Sequence, residues 1–430
     1  MTLDVARADD RVAELRALSR LPFDELAGAL GGQGGVHRAI ADRVFWGVSR
    51  GVGPFVRPVQ LTHDAVTTRV YGAMRGATGL LGRGAEAAVR LGDQGNGLAP
   101  SMTRRGGLVL GVLQGLRGDT LEREESPLQQ PMAVRVGGRP VAPDAAALAE
   151  AFPAATPRLV VFLHGLMETE FSWHLGAGED GETYGSRLAR DLGCTPVDVR
   201  YNSGRHISEN GRSLAGLLEE VVAAWPVEVE EVALVGHSMG GLVARSACHL
   251  AVEDGVTWVG HVRHVVSLGS PHFGAPLEEA VHMASAALGA LPETRPVAGF
   301  LRRRSSGIRD LRRGSLVDED WRDRDPEALR AAVCREVPLL ENATHCFVAA
   351  TITRSPKHPV ARLIGDLLVL EPSASGRSRS RRIPFKTEHG MHLGGASHFA
   401  LLNHPAVYER LRHWLSTPPE KLEDETARQG

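Results

Sequence analysis

The sequence predicts an α/β protein, a mostly parallel sheet flanked by helices, and two observations carry that expectation. From residue 158 onward, apolar runs of strand length alternate with segments of helical periodicity, and such alternation builds a parallel sheet covered by helices. The run RLVVFLHG is densely apolar on successive residues, as in a parallel strand buried on both faces.

Taken in order, residues 1 to about 120 are rich in Gly, Ala, Arg, Leu and Val, with apolar residues at three- and four-residue spacing. In the window Asp64 to Leu91, Val66, Val70, Ala73, Met74, Leu80, Leu81, Ala85, Ala88 and Val89 fall along one side. The glycines of this window weaken a free helix by up to about 1 kcal/mol each relative to Ala. They also let a neighbour approach closely. Two roles stay open: a helical cap packed on the following domain, or an amphipathic element for a lipid surface or for oligomerisation. MAVRVGGRPVA reads as a hairpin turning at Gly137-Gly138, AAALAEA as a short helix, and RLVVFLHG as the first buried strand. A strand in CTPVDVRYN, a helix from about Ser208 to Ala224, a strand in VEEVALVGHS, a helix from about Gly240 to Ala251 and a strand in HVRHVVSLGSP continue the alternation. Between about 276 and 343 the strand signal gives way to helical and charged text, an expected insertion, after which THCFVAATIT restores a strand. The expected organisation is therefore an N-terminal helical region over 1–125, an α/β domain over 131–418 with a helical cap insertion at about 276–343, and a polar tail over 419–430.

Composition narrows the classes. Apolar residues at 43% and charged residues at 23% match a globular protein. A formal net charge of −2 supplies no global attraction for nucleic acid. Cys194, Cys248, Cys334 and Cys346 are too scattered for a disulfide framework and contain no CxxC pair, so buried free thiols are expected. The start MTLDVARADDRVAEL lacks the basic and apolar regions of a signal peptide, and no run of about 18 apolar residues suggests a span, so a cytoplasmic location is expected. The arginines 377, 379, 381 and 382 form a basic loop that reads as a solvated face or as a contact for an anionic surface.

Gly236-His237-Ser238-Met239-Gly240 matches G-x-S-x-G between a predicted strand and a predicted helix. That turn strains the serine and lifts its hydroxyl into the open, while the two glycines leave room for neighbouring backbone. Free N–H groups at the start of the helix face the reacting oxygen. An oxyanion needs two such donors. Met239 supplies one; the other falls in His164-Gly165-Leu166-Met167, with Leu166 assigned and Met167 as the fallback, and His164 read as shaping the loop. The order Ser, acid, His places the base late in the chain. Of His389, His392, His398, His404 and His413, we select His398, which precedes the helix carrying Val407, Leu411 and Leu415; His404 reads as a helix cap. The acid is Asp366, the one carboxylate between Glu341 and Glu371, over its rivals Glu371, Glu388 and Asp318/Asp320.

With Ser238, Asp366 and His398 in that order, the chain resembles the α/β-hydrolase lipases and esterases, in particular bacterial triacylglycerol lipases and PGAP1-like proteins. LVVFLHGL, LVGHSMGGLVAR, VVSLGSPHFGAP, IGDLLV and SHFALLNHPAVY carry the likeness, in islands from about Arg158 to Leu415. The resemblance implies the α/β-hydrolase fold, a hydrolytic triad and an ester substrate with an acyl chain, hence a role in lipid metabolism. No metal or organic cofactor is implied. Acyl transfer through the same triad, or a lipid-surface scaffold with a vestigial hydrolase domain, are the competing expectations.

Overall fold

A computed structural model of the chain describes residues 11–18, 98–275, 305–325, 334–358, 365–378 and 381–417. The helical window 64–91, most of the insertion 276–343 and the tail 419–430 lie outside the described residues.

Eight strands form one sheet in the order β2-β1-β4-β3-β5-β6-β7-β8. β1 (Ala133–Val136) and β2 (Arg139–Val141) make the expected hairpin, and β1 pairs antiparallel with β4 (Thr195–Arg200). The rest pair in parallel: β3 (Arg158–Leu163) with β4 and β5 (Glu231–His237), then β6 (Val262–Leu268), β7 (Thr344–Thr351) and β8 (Gly390–Gly394). Among the described residues from 98 onward the α-helices are α1 (Arg104–Arg123), α2 (Ala145–Ala151), α3 (Tyr184–Leu192), α4 (Ile207–Ala224), α5 (Met239–Glu253), α6 (Ser306–Leu311), α7 (Glu371–Ala374) and α8 (Pro405–Ser416).

Successive side chains of a strand point to opposite faces, and here they enter two separate cores. Leu159, Val161 and Leu163 of β3 join Val232 and Leu234 of β5 under α4 and α5, while Val160, Phe162, Ala233 and Val235 join the other core under α3 and α8. This explains why these strands read as continuous apolar runs. All four cysteines are free and buried, Cys248 in the first core and Cys194 and Cys346 in the second.

Two elements carry little signal in the sequence. β8 spans five residues that begin and end in glycine, and α3 is a nine-residue helix in polar text. Tertiary contacts define both: β8 pairs along β7 from Phe347↔Gly390 to Thr351↔Gly394, and α3 buries Tyr184 and Leu188.

The strand order sets the place of the site. From β3 the chain moves first to β4 on one side, then returns to β5 on the other. Loops leaving the carboxyl ends of strands at such a switch point part to leave a crevice. The loops after β3 and β5 begin with His164 and Ser238.

Candidate active site

Ser238 joins β5 directly to α5 with φ 53° and ψ −118°. A non-glycine residue in that region is strained, at a cost of about 1–3 kcal/mol that the surrounding structure must offset. The restraints are visible. Ser238 N–H donates to Leu268 O at 2.8 Å, fixing the turn to the end of β6. A Cβ on Gly236 would lie 2.3 Å from the Gly240 backbone, so any side chain there would force the turn open.

Asp366 follows β7 in a tight turn and is fully buried. Its Oδ1 accepts from Leu368 N at 3.0 Å and Val369 N at 2.8 Å, leaving Oδ2 to accept from His398 Nδ1 at 2.8 Å. A second bond runs from His398 N–H to Asp366 O at 3.0 Å. The imidazole is thus held in one orientation and in the Nδ1–H tautomer, with Nε2 as the basic atom. Among the described residues nothing hydrogen-bonds to Nε2. Burial works against a charged ring, yet the charge and hydrogen bond of Asp366, aided by Glu168, hold the His398 pKa above its ordinary value.

The end of β6 touches both the Ser238 turn and His398. Leu268 binds the amide of Ser238, and the next residue, Gly269, faces the His398 ring so closely that a Cβ would lie 3.1 Å from Cε1. The loop after β3 closes the other side, where a Cβ on Gly165 would lie 3.1 Å from the Cβ of Ser238.

Of the two amides considered in this loop, Met167 N–H donates to Ser203 Oγ at 3.2 Å, whereas Leu166 N–H makes no hydrogen bond among the described residues. The Met239 amide, at the start of α5, is likewise without a partner among the described residues. Among the described residues, Leu166 and Met239 therefore keep free amide donors. His164 turns away from the site: its ring stacks on Tyr201, Nδ1 meets Gly165 O at 2.9 Å and Nε2 accepts from Tyr201 N at 3.2 Å. Burial lowers its pKa to about 4, so it stays neutral and shapes the loop.

The rival residues are engaged elsewhere. His404 accepts from Ala406 N at 3.2 Å as the cap of α8, and His413 lies within α8. His392 bonds Thr351 Oγ1 at 2.8 Å, and His389 ends a 3-10 turn before β8. Glu371 pairs with Arg377 at 2.5 Å, Asp318 with Arg322 at 2.7 Å, and Asp320 accepts from the amides of Leu316, Val317 and Arg335. Glu388 is exposed.

Sequence reasoning missed Glu168. This buried carboxylate accepts from Gly165 N at 2.8 Å and lies 2.9 Å from His237 Nδ1. Burial alone would raise its pKa, but the charge and hydrogen bond of His237 and the Gly165 amide overcome this and hold it at about 2. The Nε2 of His237 lies 3.4 Å from His398 O. Glu168 and His237 thus tie together the β3 loop, the serine turn and the histidine loop. A carboxylate three residues after the glycine of HGLME was the available signal.

A strained serine at a strand-to-helix turn, a buried histidine–carboxylate pair and this sheet order together define an α/β-hydrolase fold. Residues 201–296 match the family model described as the PGAP1-like alpha/beta domain. Among solved structures the chain is similar to the Bacillus licheniformis lipase BlEst2. In its propeptide form the likeness has 19% identity over 63% of this chain and 53% of that one, with a TM-score of 0.40; in its mature form, 20% over 66% and 99%, with a TM-score of 0.38. It is also similar to the Staphylococcus hyicus lipase, at 16% identity over 61% and 97%, with a TM-score of 0.32. The chain spans about half the length of the propeptide-form lipase. No protein in the curated set matches it.

Proposed function

We propose that the protein is a serine hydrolase of carboxylic esters. The observation that carries this reading is the buried His398–Asp366 pair at 2.8 Å, its free Nε2 in the same crevice as a serine strained to φ 53°. Ser238 Oγ attacks the ester carbonyl carbon and its proton passes to His398 Nε2, while Asp366 stabilises the imidazolium. The oxyanion accepts from the amides of Leu166 and Met239. Collapse of the intermediate transfers that proton to the departing alcohol oxygen and leaves an acyl group on Ser238. Water then attacks the acyl carbon, losing its proton to His398, and collapse returns that proton to Ser238 Oγ as the acid departs.

The test is hydrolysis of p-nitrophenyl esters with acyl chains from two to sixteen carbons by the native protein and by Ser238→Ala. Turnover confined to the native protein is expected, with the chain-length optimum separating an esterase from a lipase. An added alcohol that diverts the acyl group into a new ester would make the enzyme an acyltransferase. Equal turnover by Ser238→Ala would overturn the assignment. No helix among the described residues is long and apolar enough to cross a membrane.

A further inference from the structure

Away from Ser238, a cavity of about 650 Å³ opens between α5, the segment 334–345 leading into β7 and the segment 381–389 leading into β8. Neither Ser238, His398 nor Asp366 lines it. On its wall stands Arg245, 5% exposed. A buried guanidinium ordinarily meets a carboxylate, because an uncompensated charge is costly to desolvate. Among the described residues Arg245 hydrogen-bonds only neutral groups: Nη1 lies 3.3 Å from His272 Nδ1 and Nη2 donates to Val337 O at 2.9 Å. Among the described residues its Nε–H has no acceptor.

His272, 2% exposed, extends the pattern. Because its Nδ1 faces a guanidinium donor, the ring proton sits on Nε2, and that atom also lacks a partner among the described residues. Among the described residues, two buried donors beside the cavity therefore have no acceptor. Burial, then the charge of Arg245, pulls His272 well below the ordinary histidine range and His345 to about 3, so both rings stay neutral beside the cation. Arg381 and Arg382 add positive charge, while the lining carboxylates Glu336 and Glu341 are exposed. Val337, Leu340, Ile383 and Phe385 supply apolar lining.

We propose that this cavity is a second binding site, for an amphipathic organic anion whose carboxylate or phosphate head meets Arg245 and His272 while an alkyl tail lies along the apolar lining. The volume is within the range of small-molecule sites. The basic loop seen in the sequence gains a role here: Arg381 donates to Cys334 O at 2.7 Å and lies over the Phe273 ring, joining two walls of the cavity. The site does not depend on the hydrolase reading, since none of its groups belongs to that chemistry.

Calorimetric titration of the full-length protein with monomeric dodecanoate, dodecyl phosphate and neutral dodecanol tests this. One equivalent of an anion should bind, with dodecanol at least about tenfold weaker, the worth of roughly one charged hydrogen bond. Tighter binding of dodecanoate assigns the head as a carboxylate, and of dodecyl phosphate as a phosphate. Arg245→Met should weaken anion binding at least about tenfold. Should that variant fail to fold by circular dichroism, Arg381→Gln/Arg382→Gln, which weakens the charge, and Leu339→Trp, which fills the space, carry the test. Binding should persist after Ser238 is capped by a phosphonate, or in Ser238→Ala if no capping occurs. Equal affinity for dodecanol, unchanged affinity in the folded variants, or loss on capping would overturn the proposal.

Discussion

His398 and His237 have rings 4.8 Å apart, and each faces a buried carboxylate. Their remaining nitrogens set them apart. His237 Nε2 faces His398 O, so both its nitrogens have acceptors and the ring serves as a strut. His398 spends one nitrogen on Asp366 and keeps the other open. In the proposed reaction a base needs an unfilled valence held in place, whereas a supporting group needs every valence filled; the same pair of residue types takes these two proposed roles in one crevice.

The largest effect that would break this comparison is Ser238→Ala, expected to lower kcat by on the order of 10⁶ if the open nitrogen serves that hydroxyl. Asp366→Asn should lower kcat about 10⁴-fold by releasing the His398 tautomer, read from initial rates on a soluble ester. Glu168→Gln sharpens the contrast. It leaves the reacting groups intact but unpairs a buried imidazole, so we expect a stability loss of about 3–5 kcal/mol by denaturant titration and a smaller fall in kcat than with Asp366→Asn. A larger rate loss from Glu168→Gln would reverse the roles assigned to the two pairs.

The pH dependence separates the pairs by sign. Because the His398 pKa is raised and its neutral form is the base, kcat/KM should rise with pH through a midpoint above 6.5. The same shift stabilises the fold below about pH 6.5, a contribution lost as pH rises through the raised value. The Glu168 pKa is depressed from 4.5 to about 2, so its stabilisation is present above about pH 4.5 and fades as pH falls toward 2. Melting curves of native and Glu168→Gln protein should therefore converge on acidification. A smaller effect tests the support from α1: a Cβ on Gly115 would lie 2.3 Å from Met167 Cγ and 2.9 Å from its amide nitrogen. Gly115→Ala should shift the β3 loop, lowering kcat more than it raises KM.

The parts of the site that were legible in the sequence are those whose constraint is local. The G-x-S-x-G spacing meets its own steric requirement within five residues, and Asp366 stood out because no other carboxylate lies between Glu341 and Glu371. What was not legible depends on contacts between distant segments. Glu168 and His237 are 69 positions apart, and Arg245 meets Val337 across 92; neither pairing leaves a spacing to read. β8 was hidden because its five residues are held by pairing with β7 rather than by their own apolar pattern. Likewise, only the fold reveals that Met167 spends its amide on Ser203 while Leu166 does not.

The most direct test of the central claim is reaction of the native protein with a fluorophosphonate, followed by digestion and mass mapping of the adduct. A single adduct on Ser238, formed far more slowly in His398→Ala, is the predicted result. An unmodified Ser238, or an adduct on another serine such as Ser203 or Ser270, would contradict it.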